Sequence, residues 1–65
     1  MMSDEERDLV AKKIIKYRAI HGLRQKDLSK QLGCSTTTLI HIEKRDKTVK
    51  EITIASILTK LGLED

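Results

Sequence analysis

The sequence has no proline, no tryptophan and no phenylalanine, and only one tyrosine, one cysteine and three glycines among its 65 residues. With so little aromatic surface to bury, its core must be built from Leu, Ile and Val. A chain of this length makes one domain, expected to span 1–65, near the lower limit at which a single hydrophobic core holds a protein folded. The absence of proline, with 35% charged residues, suits a compact all-helical domain better than a sheet or a disordered tail. A lone cysteine, Cys34, cannot form an internal disulfide, so nothing points to an oxidising compartment. The start is acidic and no long apolar run follows, which excludes a signal peptide and a membrane span; the expected location is cytoplasmic. No internal repeat, low-complexity tract or Gly/Ser linker interrupts the chain.

The materials of catalysis are missing as well. Cys34 has no His or acid at the spacing of a nucleophile's base or of a zinc set, and it reads as a small apolar filler. His21 precedes Gly22 and reads as a cover for a helix end. No glycine-rich phosphate loop exists, because Gly22, Gly33 and Gly62 each follow a helix, and paired carboxylates occur only in the acidic leader. These absences argue against an enzyme, a bound metal or a cofactor.

What is present is charge, unevenly spread. Residues 1–8 hold Asp4, Glu5, Glu6 and Asp8 against Arg7, a net of −3. The remainder carries twelve Lys/Arg against six Asp/Glu, a net of +6. A basic body behind an acidic leader points to a polyanionic partner, of which nucleic acid is the commonest.

Caps and periods predict the helices. Ser3 followed by Glu6 is a capping box, and Asp4 and Glu5 suit a helix N-terminus. Val10, Ile14, Tyr17 and His21 recur at steps of three and four, until Gly22 closes the helix and Leu23 folds back. A second helix is predicted from about Gln25 to Leu32, with Leu28 and Leu32 inward and Gly33 ending it. Ser35 caps a third, from Thr36 to about Lys44, with Leu39 and Ile42 inward. Lys44–Lys47 reads as a polar loop. Thr48 with Glu51 reads as another capping box, opening a fourth helix to Leu61 whose apolar positions are Ile54, Ala55, Ile57, Leu58 and Leu61; Gly62 and Leu63 then repeat the closing signature.

Residues 25–44 carry the functional signal. Two short helices joined by a tight glycine turn meet the requirements of a helix-turn-helix. Gly33 sits where the chain must turn with positive φ, and Ser29 lies where the helices cross, so its small side chain permits close approach. The third helix opens on Thr36-Thr37-Thr38, a β-branched run that helix stability alone would not select. Threonine offers a hydroxyl that donates and accepts, and a methyl that contacts the thymine methyl in the major groove. Residues 36, 37, 40 and 41 share the face opposite Leu39 and Ile42.

The run from Arg18 through GLRQKDLSKQLGCSTTTLIHIEK to Lys44, with the apolar helix ending KLGL, resembles the Cro/C1-type helix-turn-helix proteins that include the lambdoid phage repressors. The likeness covers roughly residues 10–63. It implies a four- to five-helix lambda-repressor-like domain with its third helix in the DNA major groove, and an ion pair between Arg18 and Glu43. It also matches Thr36, Thr37 and His41 to the family's base-reading positions, with Ile40 at their edge. Two departures stand out. Arg45 occupies the glycine of the family's E-x-G pattern, and the chain ends at Asp65, where a fifth helix, often part of the dimer interface, would begin.

Arg24, Gln25 and Lys26 open the second helix, whose exposed N–H groups and dipole attract a phosphate. Lys44, Arg45 and Lys47 follow the third. The expected phosphate contacts are Arg24, Gln25, Lys44, Arg45 and Lys47, which position rather than specify. One helix-turn-helix reads about half a site, so a homodimer on double-stranded DNA is expected, with Ile57, Leu61 and Leu63 as its candidate surface. The leading reading is a transcriptional regulator, a repressor of phage, plasmid or mobile-element type on a palindromic operator; a restriction-modification control protein falls in the same class. The alternative is a protein-interaction module on the same fold, an antitoxin or accessory protein, using Ile15, Ile20 and Ile40.

Overall fold

Local hydrogen-bonding devices mark where each helix starts. In the computed structural model, which describes residues 2–64, four α-helices follow one another: α1 Asp4–His21, α2 Gln25–Leu32, α3 Thr36–Glu43 and α4 Glu51–Leu61. Ser3 closes the predicted capping box: its Oγ accepts from the Glu6 amide at 3.1 Å, and its own amide donates to Glu6 Oε1 at 3.0 Å. The Ser35 hydroxyl accepts the Thr38 amide at 3.1 Å. The expected box at Thr48 does not form. The helix starts at Glu51 with Lys50 as its N-cap, and Thr48 instead gives both its amide and its hydroxyl to Asp46 Oδ1.

All four helices end in the same way. The amide one residue past the left-handed position bonds back to a carbonyl a turn and a half earlier: Leu23 to Arg18, Cys34 to Ser29, Asp46 to His41 and Leu63 to Leu58, at 2.9 to 3.1 Å. Glycine holds the left-handed position in three of these closures, and Arg45, at φ +61°, holds it after α3. A Cβ built on Gly33 meets nothing within 4 Å, so backbone conformation rather than space selects glycine there. Arg45 is the one non-glycine among the described residues with positive φ. It stands where the Cro/C1-type pattern puts glycine, and it adopts the conformation for which glycine is favoured.

The core is aliphatic. Val10 and Ile14 from α1, Leu28 and Leu32 from α2, Leu39 and Ile42 from α3, and Ile54 and Ile57 from α4 form one buried cluster. Tyr17, Leu23, Cys34, Val49, Leu58 and Leu61 pack around its edge. Ala55, read as one of the apolar positions of the fourth helix, is exposed. His21 is exposed and lies against the Tyr17 ring, centroids 4.2 Å apart. The closest backbone packing sets α3 against α1 and α2, so α3 is held from two sides.

An ion pair fixes that arrangement. Arg18 grips Glu43 in a two-pronged bond, Nε to Oε2 at 3.0 Å and Nη2 to Oε1 at 2.8 Å, with the Glu43 side chain only 8% exposed. Gln25 Nε2 adds a bond to Oε1 at 3.2 Å, and Arg18 Nη1 donates to the Leu23 carbonyl at 3.3 Å. Removing one partner of a shielded pair strands the other charge. Glu43→Ala should therefore destabilise the fold by about 3 kcal/mol, against a total margin of about 5 kcal/mol for a domain this small. Urea unfolding checks this; a variant melting within about a degree of wild type would show that Glu43 is not structurally required.

Candidate nucleic-acid interface

The site is built on α2, the Gly33 turn and α3. Ser29, 2% exposed, sits where the two helices meet and hydrogen-bonds the Thr36 hydroxyl at 3.0 Å while donating to the Lys26 carbonyl at 2.9 Å. That bond ties the first turn of α3 to α2. The three threonines then divide. Thr36 is half-buried with its hydroxyl engaged inward, Thr38 bonds the Ser35 hydroxyl at 2.8 Å, and Thr37 is exposed. A turn later the His41 side chain is 45% exposed, with Nδ1 at 2.6 Å from Asp46 Oδ2. Ile40 is half-buried. Of the four residues proposed to face bases, Thr37 and His41 are therefore the best presented.

These two also share a shallow surface depression of about 320 Å³, lined by Thr37, Thr38, His41, Thr48, Val49, Lys50 and Thr53. Its polar groups come from α3, from the loop that follows and from the first turn of α4. Lys50 and Thr53 had no role in the sequence reading. They come to the site only through the fold of the 44–50 loop, which no local pattern announces.

The expected phosphate contacts are not equally available. Arg24 is 89% exposed in its side chain, with a loose pairing to Asp27 at 3.5 Å, and Lys44 is exposed. The Gln25 side chain is turned to Glu43, leaving its place at the helix N-terminus as its offer to an anion. Arg45 donates from Nε to Asp8 Oδ1 at 2.9 Å and from Nη1 to the Glu43 carbonyl at 2.8 Å. Lys47 pairs with Asp4 at 3.3 Å. The acidic start of α1 thus lies against the basic loop after α3 rather than apart from it. Lys12 and then Arg45 hold the Asp8 carboxyl below the ordinary aspartate range.

Arg7 went unassigned in the sequence reading and is 7% exposed. Its Nη1 donates to the carbonyls of Asp46 and Val49, each at 3.2 Å, and so fastens the loop to α1. The spacing does contain this: Arg7 precedes Val10, Ala11 and Ile14 on the buried face of α1. The proposed dimer surface needs correction at Ile57, which is 3% exposed and belongs to the protomer's own core. Leu61 and Leu63 are half-buried; the Leu63 amide closes α4, and its carbonyl accepts from Lys13 Nζ at 3.3 Å. Among residues considered for a protein-docking face, Ile20 is 69% exposed and Ile15 39%, whereas Ile40 is only half-exposed. Cys34 is half-buried at the core edge. Among the described residues no cluster of three His, Cys, Asp or Glu is arranged to hold a metal ion, and no helix is long and apolar enough to cross a membrane.

A family model described as helix-turn-helix matches residues 14–64. An uncharacterized HTH-type transcriptional regulator of Methanocaldococcus jannaschii is 61% identical over 28 residues, covering 43% of this chain and 42% of that protein. The chain thus spans less than half the length of the curated relative it matches. No solved structure matches.

The loop after α3 also carries the site's strongest electrostatic signature. The Thr48 amide first, then the Thr48 hydroxyl and His41, hold the Asp46 carboxyl far below the ordinary aspartate value of 3.8. A depressed folded pKa stabilises the fold fully above the ordinary value, and that stabilisation fades as pH falls through 3.8 toward the lower folded value. The thermal midpoint should therefore drop between about pH 4 and pH 2. Asp46→Asn should start lower at neutral pH and lose less over that interval. Parallel, equal losses in both proteins would place the acid sensitivity elsewhere.

Proposed function

The chain belongs to the helix-turn-helix family, and from that premise we propose that it is a double-stranded-DNA-binding transcription regulator of Cro/C1 type. In this reading α3 lies in the major groove, Thr37 and His41 contact base edges, and Ile40 lies at their margin. The Thr36 methyl reaches the groove while its hydroxyl serves the α2–α3 junction. The observation that carries the proposal is the presentation of Thr37 and His41 on a helix clamped from two sides by its packing and by Glu43. A reading helix must hold its side chains in a fixed register, because base edges discriminate only by matched geometry.

Arg24, Lys44 and the N-terminus of α2 at Gln25 supply backbone contacts. Arg45 and Lys47 supply further ones when a phosphate displaces Asp8 and Asp4. The regulator acts as a repressor of phage, plasmid or mobile-element type, and two copies bind a palindromic operator, meeting at least on DNA through Leu61 and Leu63. Two half-sites one DNA turn apart are the geometric consequence. A cytoplasmic, non-enzymatic protein suits this role. A protein-docking role is favoured instead by the exposed side chains Ile20 and Ile52, at 69% and 77%.

Selection from random duplexes followed by titration separates these readings. Thr37→Ala or His41→Ala should weaken the selected site by about 1–3 kcal/mol and leave random-sequence binding nearly unchanged. Lys44→Ala should weaken both and make the salt slope shallower by about 0.9. Asp8→Asn, by releasing Arg45, should strengthen random-sequence binding and steepen that slope by about one unit. Absence of duplex binding at low salt would remove the DNA reading and leave the docking role.

A further inference from the structure

An imidazole reads a base edge with whichever ring nitrogen is uncommitted, and in His41 one nitrogen is committed. Nδ1 lies 2.6 Å from Asp46 Oδ2. Asp46 is in turn immobilised: Oδ1 accepts the Thr48 amide at 2.8 Å and the Thr48 hydroxyl at 2.7 Å, and its carbonyl accepts from Arg7 at 3.2 Å. With two donors from Thr48 and one from His41, the carboxyl stays ionised across the neutral range. An ionised carboxylate offers only acceptors. Nδ1 must therefore carry the proton, and Nε2 is left to define what His41 presents. In the neutral ring Nε2 is an acceptor; in the charged ring it is a donor.

We propose that Asp46 is a specificity-determining positioning residue that locks the His41 tautomer, so that Nε2 takes a base-edge amino donor when the ring is neutral and a base-edge acceptor when it is charged. In the major groove the amino donors are cytosine N4 and adenine N6, and the strongest paired acceptors are guanine N7 and O6. The protein's preference at the base pair facing His41 thus differs between the neutral and the charged ring. This inference rests on α3 reading the major groove.

The other charged groups around the ring do not offer a competing switch. Lys50 stands on the far wall of the same depression. Glu43 is turned to Arg18, and Arg45 to Asp8. Arg7, from α1, is committed to the backbone carbonyls of Asp46 and Val49. Lys44 is exposed beyond the end of α3.

Two measurements on the whole chain test this. Imidazole nitrogen-15 spectra of the free protein, followed across pH until the ring is neutral, should show His41 protonated at Nδ1. Asp46→Asn, which keeps an acceptor for Thr48, should mix the tautomers. Duplex selection on either side of the His41 titration measured in those spectra should then show one position shifting between guanine and cytosine or adenine by roughly threefold to tenfold, the worth of one hydrogen bond. The shift should shrink in Asp46→Asn and vanish in His41→Ala. A neutral ring protonated at Nε2 overturns the proposal before any DNA is added. A locked Nδ1 proton with a pH-independent preference at a His41-dependent position overturns it while leaving the reading helix intact. If His41→Ala changes no base preference, the base-reading assignment fails and this proposal fails with it.

Discussion

Glu43 is the residue on which the arrangement of the other helices depends. It ends α3, its side chain receives Arg18 of α1 and Gln25 of α2, and its carbonyl receives the Arg45 guanidinium. A buried ion pair is not in itself a strong stabiliser, because desolvation of both charges offsets most of their attraction. Its value lies in direction. Aliphatic contacts such as those within the cluster that holds Leu28 and Leu39 tolerate small rotations at little cost, whereas a two-pronged guanidinium–carboxylate bond tolerates few. The core holds α3 down, and Glu43 decides at what angle it lies. For a helix that presents Thr37 and His41 outward, that angle sets where two side chains point.

Much of this architecture was legible in the sequence because it is written in local signals. Ser3 with Glu6, Ser35, and the glycines at 22, 33 and 62 each set a helix limit through bonds spanning a few residues, and each does so in the structure. The Cro/C1-type likeness likewise anticipated the pairing of Arg18 with Glu43. Local signals fail where another partner outbids them. Thr48 and Glu51 have capping-box spacing, but Asp46 claims the Thr48 hydroxyl. Ile57 reads equally well as core or as dimer surface, since periodicity shows which face is apolar and not what covers it.

The charges were harder still. Arg7 was counted with the leader's charges, although its spacing from Val10 and Ile14 put it on the buried face. Its partners are two backbone carbonyls, which a sequence does not display. Asp46 sits in a stretch that reads only as polar, and its role appears once Thr48, His41 and Arg7 have converged on it. Polar convergence of this kind joins near and distant partners, and no helical or strand period encodes it.

Arg45 joins the two halves of this account. A side chain at φ +61° costs conformational energy that glycine would avoid, so the position is informative. What the arginine adds is a tie from its own left-handed corner to the α3 C-terminus and to Asp8 of α1. Such a tie has a consequence for a protein that must discriminate among duplexes. Non-specific affinity is almost wholly electrostatic, while specific affinity adds base contacts to the same electrostatic term. If the proposed DNA reading holds, Asp8 on Arg45 and Asp4 on Lys47 would act as resident substitutes for phosphate, which every DNA site has to displace before gaining those cations. Displacement lowers both affinities by a similar factor and leaves their ratio to the base-reading residues. It also shortens the time spent on random DNA, which competes for the protein in great excess over any one operator. On that reading the acidic leader and the basic loop would form one device, weakening attachment to DNA in general so that the fixed geometry of α3 would decide where the protein stays.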